Sequence, residues 1–127
     1  MQFDNNQPIY LQIADLLCTY IIQEKYKEGE RIPSVREIGS MLEVNPNTAL
    51  RAYNELQKQE IIHDKRGMGY YVSEHGKEYA AEYRKKQFIE EQLPLFFHNM
   101  KLLNIEISQI ETLYNQYLKQ HENENRH

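Results

Sequence analysis

The chain has 127 residues, 40% of them hydrophobic and 27% charged, with 10 Tyr, 4 Phe and no Trp. That suits one ordinary domain or a small domain with an appendage, and it is too apolar for a disordered polymer. Fifteen basic against 19 acidic residues leave a net charge of −4, so the global basic field of many nucleic-acid proteins is missing.

Pro8 suits the first turn of a helix, where its missing N–H is no loss. Ile9, Ile13, Leu16, Leu17, Tyr20 and Ile21 recur at helical spacing and predict a first helix to about Tyr26, stopped near Gly29. Arg31-Ile32-Pro33 is a short extended bridge. Ser34-Val35-Arg36-Glu37 forms a capping box that opens a second helix, with Val35, Ile38, Met41 and Leu42 expected inside. Val44 to Thr48 reads as a sharp turn and restart, with Asn45 as N-cap and Pro46 at the first helical position. The third helix runs to about Glu60 and buries Ala49, Ala52, Tyr53 and Leu56 at i, i+3, i+4 and i+7. Ile61–Lys65 and Tyr70–Ser73 predict two strands of a hairpin whose glycines, Gly67 and Gly69, permit a tight turn.

Beyond Ser73 the texture changes. Residues 75–103 are strongly helical, with Tyr79, Tyr83, Phe88, Leu93, Phe96, Phe97, Met100 and Leu103 as an apolar stripe. Pro94 should kink or break that helix near Glu90–Leu93. Asn104 turns the chain into a last amphipathic helix, Ile107–Leu118, carrying Ile107, Ile110, Leu113, Tyr114 and Tyr117. A polar tail from Gln120 to His127 should fray. The expected class is therefore mainly α with a small β-hairpin: a winged helix-turn-helix over residues 1–73, then a short helical dimerisation region over 74–127.

A helix of this kind fits the major groove of B-DNA, its N-terminal residues reach base edges, and a hairpin can touch the neighbouring minor groove. Charge does not help this reading. Residues 1–73 hold 8 Lys and Arg against 10 Asp and Glu, and residues 74–127 hold 7 against 9, so only local placement of a few cations can make a DNA surface. Asn45, Asn47, Thr48 and Arg51 cluster along the outer edge of the third helix, where such side chains bond adenine edges, phosphates and guanine. Each also has a plainer role. Asn45 caps the helix, and Arg51 stands at i,i+4 spacing from Glu55, as an ion pair would require. Arg36 lies in the first turn of the second helix against the helix dipole, which points either to a ligand or to a pair with Glu37 or Glu43. Lys65 and Arg66 precede the hairpin tip, where they meet phosphates or simply solvent.

Other chemistry is poorly represented. The five histidines show no metal-ligand spacing, no phosphate-binding glycine loop is present, and no catalytic constellation emerges. No cofactor is expected, and nothing in the sequence points to a particular small-molecule effector. No apolar run approaches the roughly 18 residues of a membrane helix, and Met1–Asn6 lacks the features of a secretion signal. The single Cys18 excludes an internal disulfide and a multi-cysteine zinc site, and it fits a reducing cytoplasm.

Four motifs in order then carry a resemblance: Pro8-Ile9-Tyr10-Leu11-Gln12-Ile13, Ile32-Pro33-Ser34-Val35-Arg36-Glu37-Ile38, Val44-Asn45-Pro46-Asn47-Thr48-Ala49-Leu50-Arg51-Ala52-Tyr53 and Gly67-Met68-Gly69-Tyr70-Tyr71-Val72. Together they resemble the GntR family of bacterial transcription regulators, and the short C-terminal region looks like its YtrA-like subfamily. The resemblance implies a homodimer on a palindromic operator in double-stranded DNA, usually a repressor and often of genes for ABC-type transporters. By position it points to Arg36, Asn45, Asn47, Thr48 and Gly67 as DNA contacts. The aminotransferase-fused branch is not expected, because about 54 residues after the wing cannot house such a domain. The dimerisation residues expected are Tyr83, Phe88, Phe96, Phe97, Met100, Ile110, Leu113 and Tyr117, since so small a helical hairpin cannot cover its own aromatic stripe and a second copy is the natural cover. Three other readings fit parts of the same pattern: a tail folded back on its own winged domain, a winged module that binds only protein, and a sensor or enzyme built on the tail.

Overall fold

The computed structural model describes residues 7–122. The expected absence of a leader at Met1–Asn6 and the end of the expected polar tail, residues 123–127, lie outside the described residues. The elements are α1 (Ile9–Ile22), α2 (Val35–Leu42), α3 (Pro46–Lys58), β1 (Ile62–Lys65), β2 (Gly69–Val72), α4 (Gly76–Gln87), a π-helical turn (Phe88–Gln92), α5 (Leu93–Leu102) and α6 (Ile107–Gln120). They form two compact units, divided between Lys86 and Gln87.

In the first unit α1, α2 and α3 enclose a core of Ile13, Leu17, Ile21, Ile38, Ala52, Tyr53 and Leu56, closed from below by Ile61, Ile62 and Val72 of the wing. The strands pair antiparallel with Ile62 opposite Val72 and Lys65 opposite Gly69. The extended stretch before α2 adds a third rung, because Arg31 bridges Tyr71 and the Ile32 N–H donates to the Tyr70 carbonyl at 3.0 Å. α1 stops earlier than its apolar period suggests. Glu24 adopts a left-handed φ of 62°, which lets Tyr26 turn back edge-on to Tyr20 at 6.0 Å between ring centres. Met41, expected inside, is 64% exposed. The eight-residue α2 turns only a narrow face inward, through Val35, Ile38 and Leu42, and Met41 points about 100° around the helix from Leu42.

The unit boundary differs from the expected break after Ser73. α4 belongs to the winged unit. Ala80 is fully buried in the common core, and Tyr79 and Tyr83 pack against it. Arg84 pairs with Asp15 of α1 at 2.9 Å. The start of α4 is equally tight, since a methyl group on Gly76 would lie 2.6 Å from the Ile61 carbonyl oxygen. The physical reason is that Ile61, Val72 and the inner edge of α1 leave apolar surface that this helix covers. Part of the tail thus folds back on its own domain.

The second unit has a different character. Pro94 lacks the N–H an α-helix needs, and the π-helical turn falls at Phe88–Gln92, where the sequence placed the break. Asn104 turns the chain with a φ of 56°. None of the described residues from Gln87 onward is buried, so α5 and α6 have no interior of their own.

Candidate nucleic-acid interface

The turn between α2 and α3 is fixed by backbone bonds and close approach. The Ser34 hydroxyl accepts from the Glu37 N–H at 3.0 Å, and the Glu37 carboxylate accepts from the Ser34 N–H at 3.2 Å. Those two bonds to Ser34, with Arg31 close by, hold the Glu37 carboxyl below the usual carboxylate range. At the far end Glu43 takes a left-handed φ of 57°, and the Val44 N–H donates to the Gly39 carbonyl at 2.9 Å. A methyl group on Gly39 would stand 3.2 Å from the Val44 carbonyl oxygen, so the close approach of α2 to the start of α3 depends on that glycine. Asn45 then caps α3, its side-chain oxygen accepting from the Asn47 N–H at 2.8 Å.

This turn leaves one polar edge outward. Asn47 and Arg51 are exposed and Thr48 is half-buried. With Pro8, Ile9 and Tyr10 from the start of α1, they line a shallow groove of about 400 Å³. The guanidinium of Arg51 lies 4.0 Å above the centre of the Tyr10 ring. No carboxylate pairs with Arg51 among the described residues. Glu55, its suggested i,i+4 partner, instead accepts a hydrogen bond from Gln59 at 3.2 Å and the Tyr83 hydroxyl at 3.5 Å. Arg36 is likewise exposed and has no ion pair among the described residues; the Glu37 carboxylate turns to Ser34 and, at 3.9 Å, to Arg31.

The wing carries the second group. Gly67 has a φ of 77° and the Met68 N–H closes the turn on the Lys65 carbonyl at 2.7 Å. Lys65, Arg66 and Gly67 are all exposed, and the Lys65 ammonium rests 4.2 Å from the centre of the Tyr71 ring. The structure therefore brings Asn47, Thr48 and Arg51 into one groove and gathers Lys65, Arg66 and Gly67 at the hairpin tip. Arg36 stands apart on α2.

Sequence reasoning passed over Tyr10, Gly39 and Arg31 as parts of this face. Arg31 reaches under the wing, its guanidinium nitrogen 2.9 Å from where a Gly69 methyl group would be. Only Gly39 left a signal in the sequence, as a lone glycine inside a helix pattern.

The residues expected to mediate dimerisation divide between the units. Tyr83 packs half-buried on the winged core. Phe88, Phe96, Phe97, Leu113 and Tyr117 are exposed on the second unit, and Met100 and Ile110 are half-buried there. Among the described residues no group of three or more histidine, cysteine or acidic side chains is placed to hold a metal. None of the described helices is long and apolar enough to cross a membrane. Burial pushes the Cys18 thiol up to about 12, with Asp15 adding to the effect, which removes it from nucleophilic chemistry at neutral pH.

Comparison with known proteins agrees with this geometry. Residues 9–72 match the model for bacterial regulatory proteins of the gntR family. The chain is 36% identical to the uncharacterized HTH-type transcriptional regulator YhcF of Bacillus subtilis, over 82% of this chain and 84% of that one. It is 34% identical to the HTH-type transcriptional repressor YtrA of the same organism, over 84% and 81%. Among solved structures, a GntR-family transcriptional regulator from Bacteroides thetaiotaomicron superposes with a TM-score of 0.72 at 42% identity, covering 88% of this chain and 97% of that one. Streptococcus agalactiae BusR, in complex with its busAB-promotor DNA, gives a TM-score of 0.62 at 26% identity, over 91% and 58%. The chain belongs to the GntR family of bacterial regulatory proteins, which are DNA-binding transcriptional regulators and not enzymes.

Proposed function

We propose that the protein is a homodimeric repressor that reads an inverted-repeat operator, with the genes of an ABC-type transporter as its target. The observation that carries this reading is the state of Arg51: exposed, at the N-terminal half of α3, and with no carboxylate paired to it among the described residues. In a chain of net charge −4, an unneutralised cation beside Asn47 and Thr48 is what a base-reading edge needs. Asn45 and Thr48 would serve phosphates, and Arg36, Lys65, Arg66 and the Gly67 backbone would flank them on α2 and the wing.

Self-association is assigned to the second unit. Leu95 and Leu102 are each 67% exposed on one side of α5 and Phe97 is 54% exposed on the other, apolar surface that a second copy would cover. Tyr83 is left out of that interface because its own domain already covers it. Two recognition helices would then enter successive major grooves about one helical turn apart, and occupancy of promoter DNA would be enough to repress.

A protein-binding winged module predicts a neutralised α3 edge, with Arg51 paired to Glu55; that pair is absent. Titration of duplexes selected from a random pool tests the reading. Arg51→Ala should cost about 1–3 kcal/mol and relax the preference at one base pair, whereas Lys65→Ala should weaken all sequences about evenly. Equal binding of every duplex by the wild-type protein would refute it.

A further inference from the structure

We infer that Tyr10 is a positioning residue of the DNA interface: its ring holds the Arg51 guanidinium in a reading geometry while leaving the charge unspent. This rests on the proposed role of Arg51 and adds a residue from a different helix to it.

The Arg51 cation stands over the face of the Tyr10 ring. The guanidinium carbon lies 4.0 Å from the ring centre, close enough for the π face to attract the cation. Tyr10 is itself anchored, half-buried against the core near the start of α1. An arginine on an exposed helix edge otherwise samples many rotamers, and ordering it on binding costs affinity. A carboxylate partner would also order it, but it would neutralise the charge and compete with DNA for the same N–H groups. An aromatic face does neither. A ring packed on the flat side of a guanidinium leaves free the N–H donors along its rim, which are the groups that fork onto guanine O6 and N7. The wing repeats the arrangement with Lys65 above Tyr71 at 4.2 Å. Two cations of this face are thus oriented by tyrosine rings.

The test uses the full chain and a duplex selected from a random pool, plus a second duplex altered at the base pair whose preference Arg51→Ala abolishes. Affinities are measured for wild type, Tyr10→Phe, Tyr10→Leu, Arg51→Ala and the double variant Tyr10→Leu/Arg51→Ala. Tyr10→Phe should keep the discrimination between the two duplexes. Tyr10→Leu should lower it about two- to fivefold, and should add no further loss of discrimination once Arg51 is Ala. The inference is overturned if Tyr10→Leu weakens both duplexes equally in both backgrounds, or if Tyr10→Phe behaves like Tyr10→Leu. If Arg51→Ala leaves every preference intact, the role given to Arg51 falls and the inference with it. That outcome is distinct from one in which Arg51 matters and Tyr10 does not. Should Tyr10→Leu fail to fold, proton resonances decide. The Arg51 δ-methylene should be shifted upfield by the ring in wild type and in Tyr10→Phe, and ordinary values there would refute the stack.

Discussion

The hydroxyl of Tyr53, on the buried face of α3, donates to the carbonyl of Pro33, just before α2. The same ring meets Tyr70 of the wing edge-on at 4.8 Å between centres. One side chain thus ties the recognition helix to the start of its neighbour and to the hairpin. Tyr53→Phe keeps the packing but leaves the Pro33 carbonyl without that partner. It should destabilise the fold by about 1–2 kcal/mol in urea unfolding.

The same residue sets an alkaline limit. Burial, and then the neighbouring Tyr26, Glu37 and Tyr70, push the Tyr53 hydroxyl well above the ordinary tyrosine value. Its folded pKa is raised, so its contribution to stability is complete below about pH 10 and is lost as pH climbs beyond that, by up to about 1.4 kcal/mol per pH unit. Unfolding followed from pH 8 to pH 11 should therefore show a steeper loss above about pH 10 in wild type than in Tyr53→Phe. Parallel curves would contradict the assignment.

The position of α4 predicts where the DNA-binding unit can be cut. A fragment ending at Lys86 should unfold cooperatively. One ending at Ser73 exposes the surface beneath Ala80, Tyr79 and Tyr83 and removes the Arg84–Asp15 pair. It should be less stable by about 2 kcal/mol or more. Equal urea midpoints for the two fragments would show that α4 adds nothing.

Cys18 should be chemically silent. It is fully buried in α1 and its thiol is pushed up to about 12, so a thiol reagent at pH 8 should label the native chain only as fast as it unfolds. Labelling should become rapid in denaturant. Prompt labelling of the folded protein would contradict the packing.

Salt offers a separate check on the interface. About four to six cations per subunit are available, and each phosphate contact should contribute a slope of about −0.9 in a plot of log affinity against log salt. Lys65→Ala should reduce the slope by about 1. An unchanged slope would take Lys65 off the phosphate backbone.

Much of the winged unit was legible because its signals are local. Ser34 and Glu37 stand three apart, Asn45 precedes Pro46, and Gly67 and Gly69 bracket the hairpin tip; each pattern is set by its own backbone chemistry. The placement of α4 was not legible, because Asp15 and Arg84 are far apart in the chain and a helix stripe gives no sign of which surface it will cover. Tyr83 belongs to the same apolar period as Phe96 and Phe97, yet it is covered and they are not. The Tyr10–Arg51 stack was hidden for the same reason. Each residue fits its own helix, and only packing of α1 on α3 brings the ring beneath the guanidinium.

The measurement that bears most directly on the whole account is selection of bound duplexes from a random pool by the 127-residue chain, followed by sedimentation of the complex. A palindromic consensus occupied by two copies of the chain is the predicted result, with Phe97→Asp giving a protein that sediments as a monomer and binds that consensus far more weakly. A wild-type monomer that enriches no sequence at low ionic strength would contradict it.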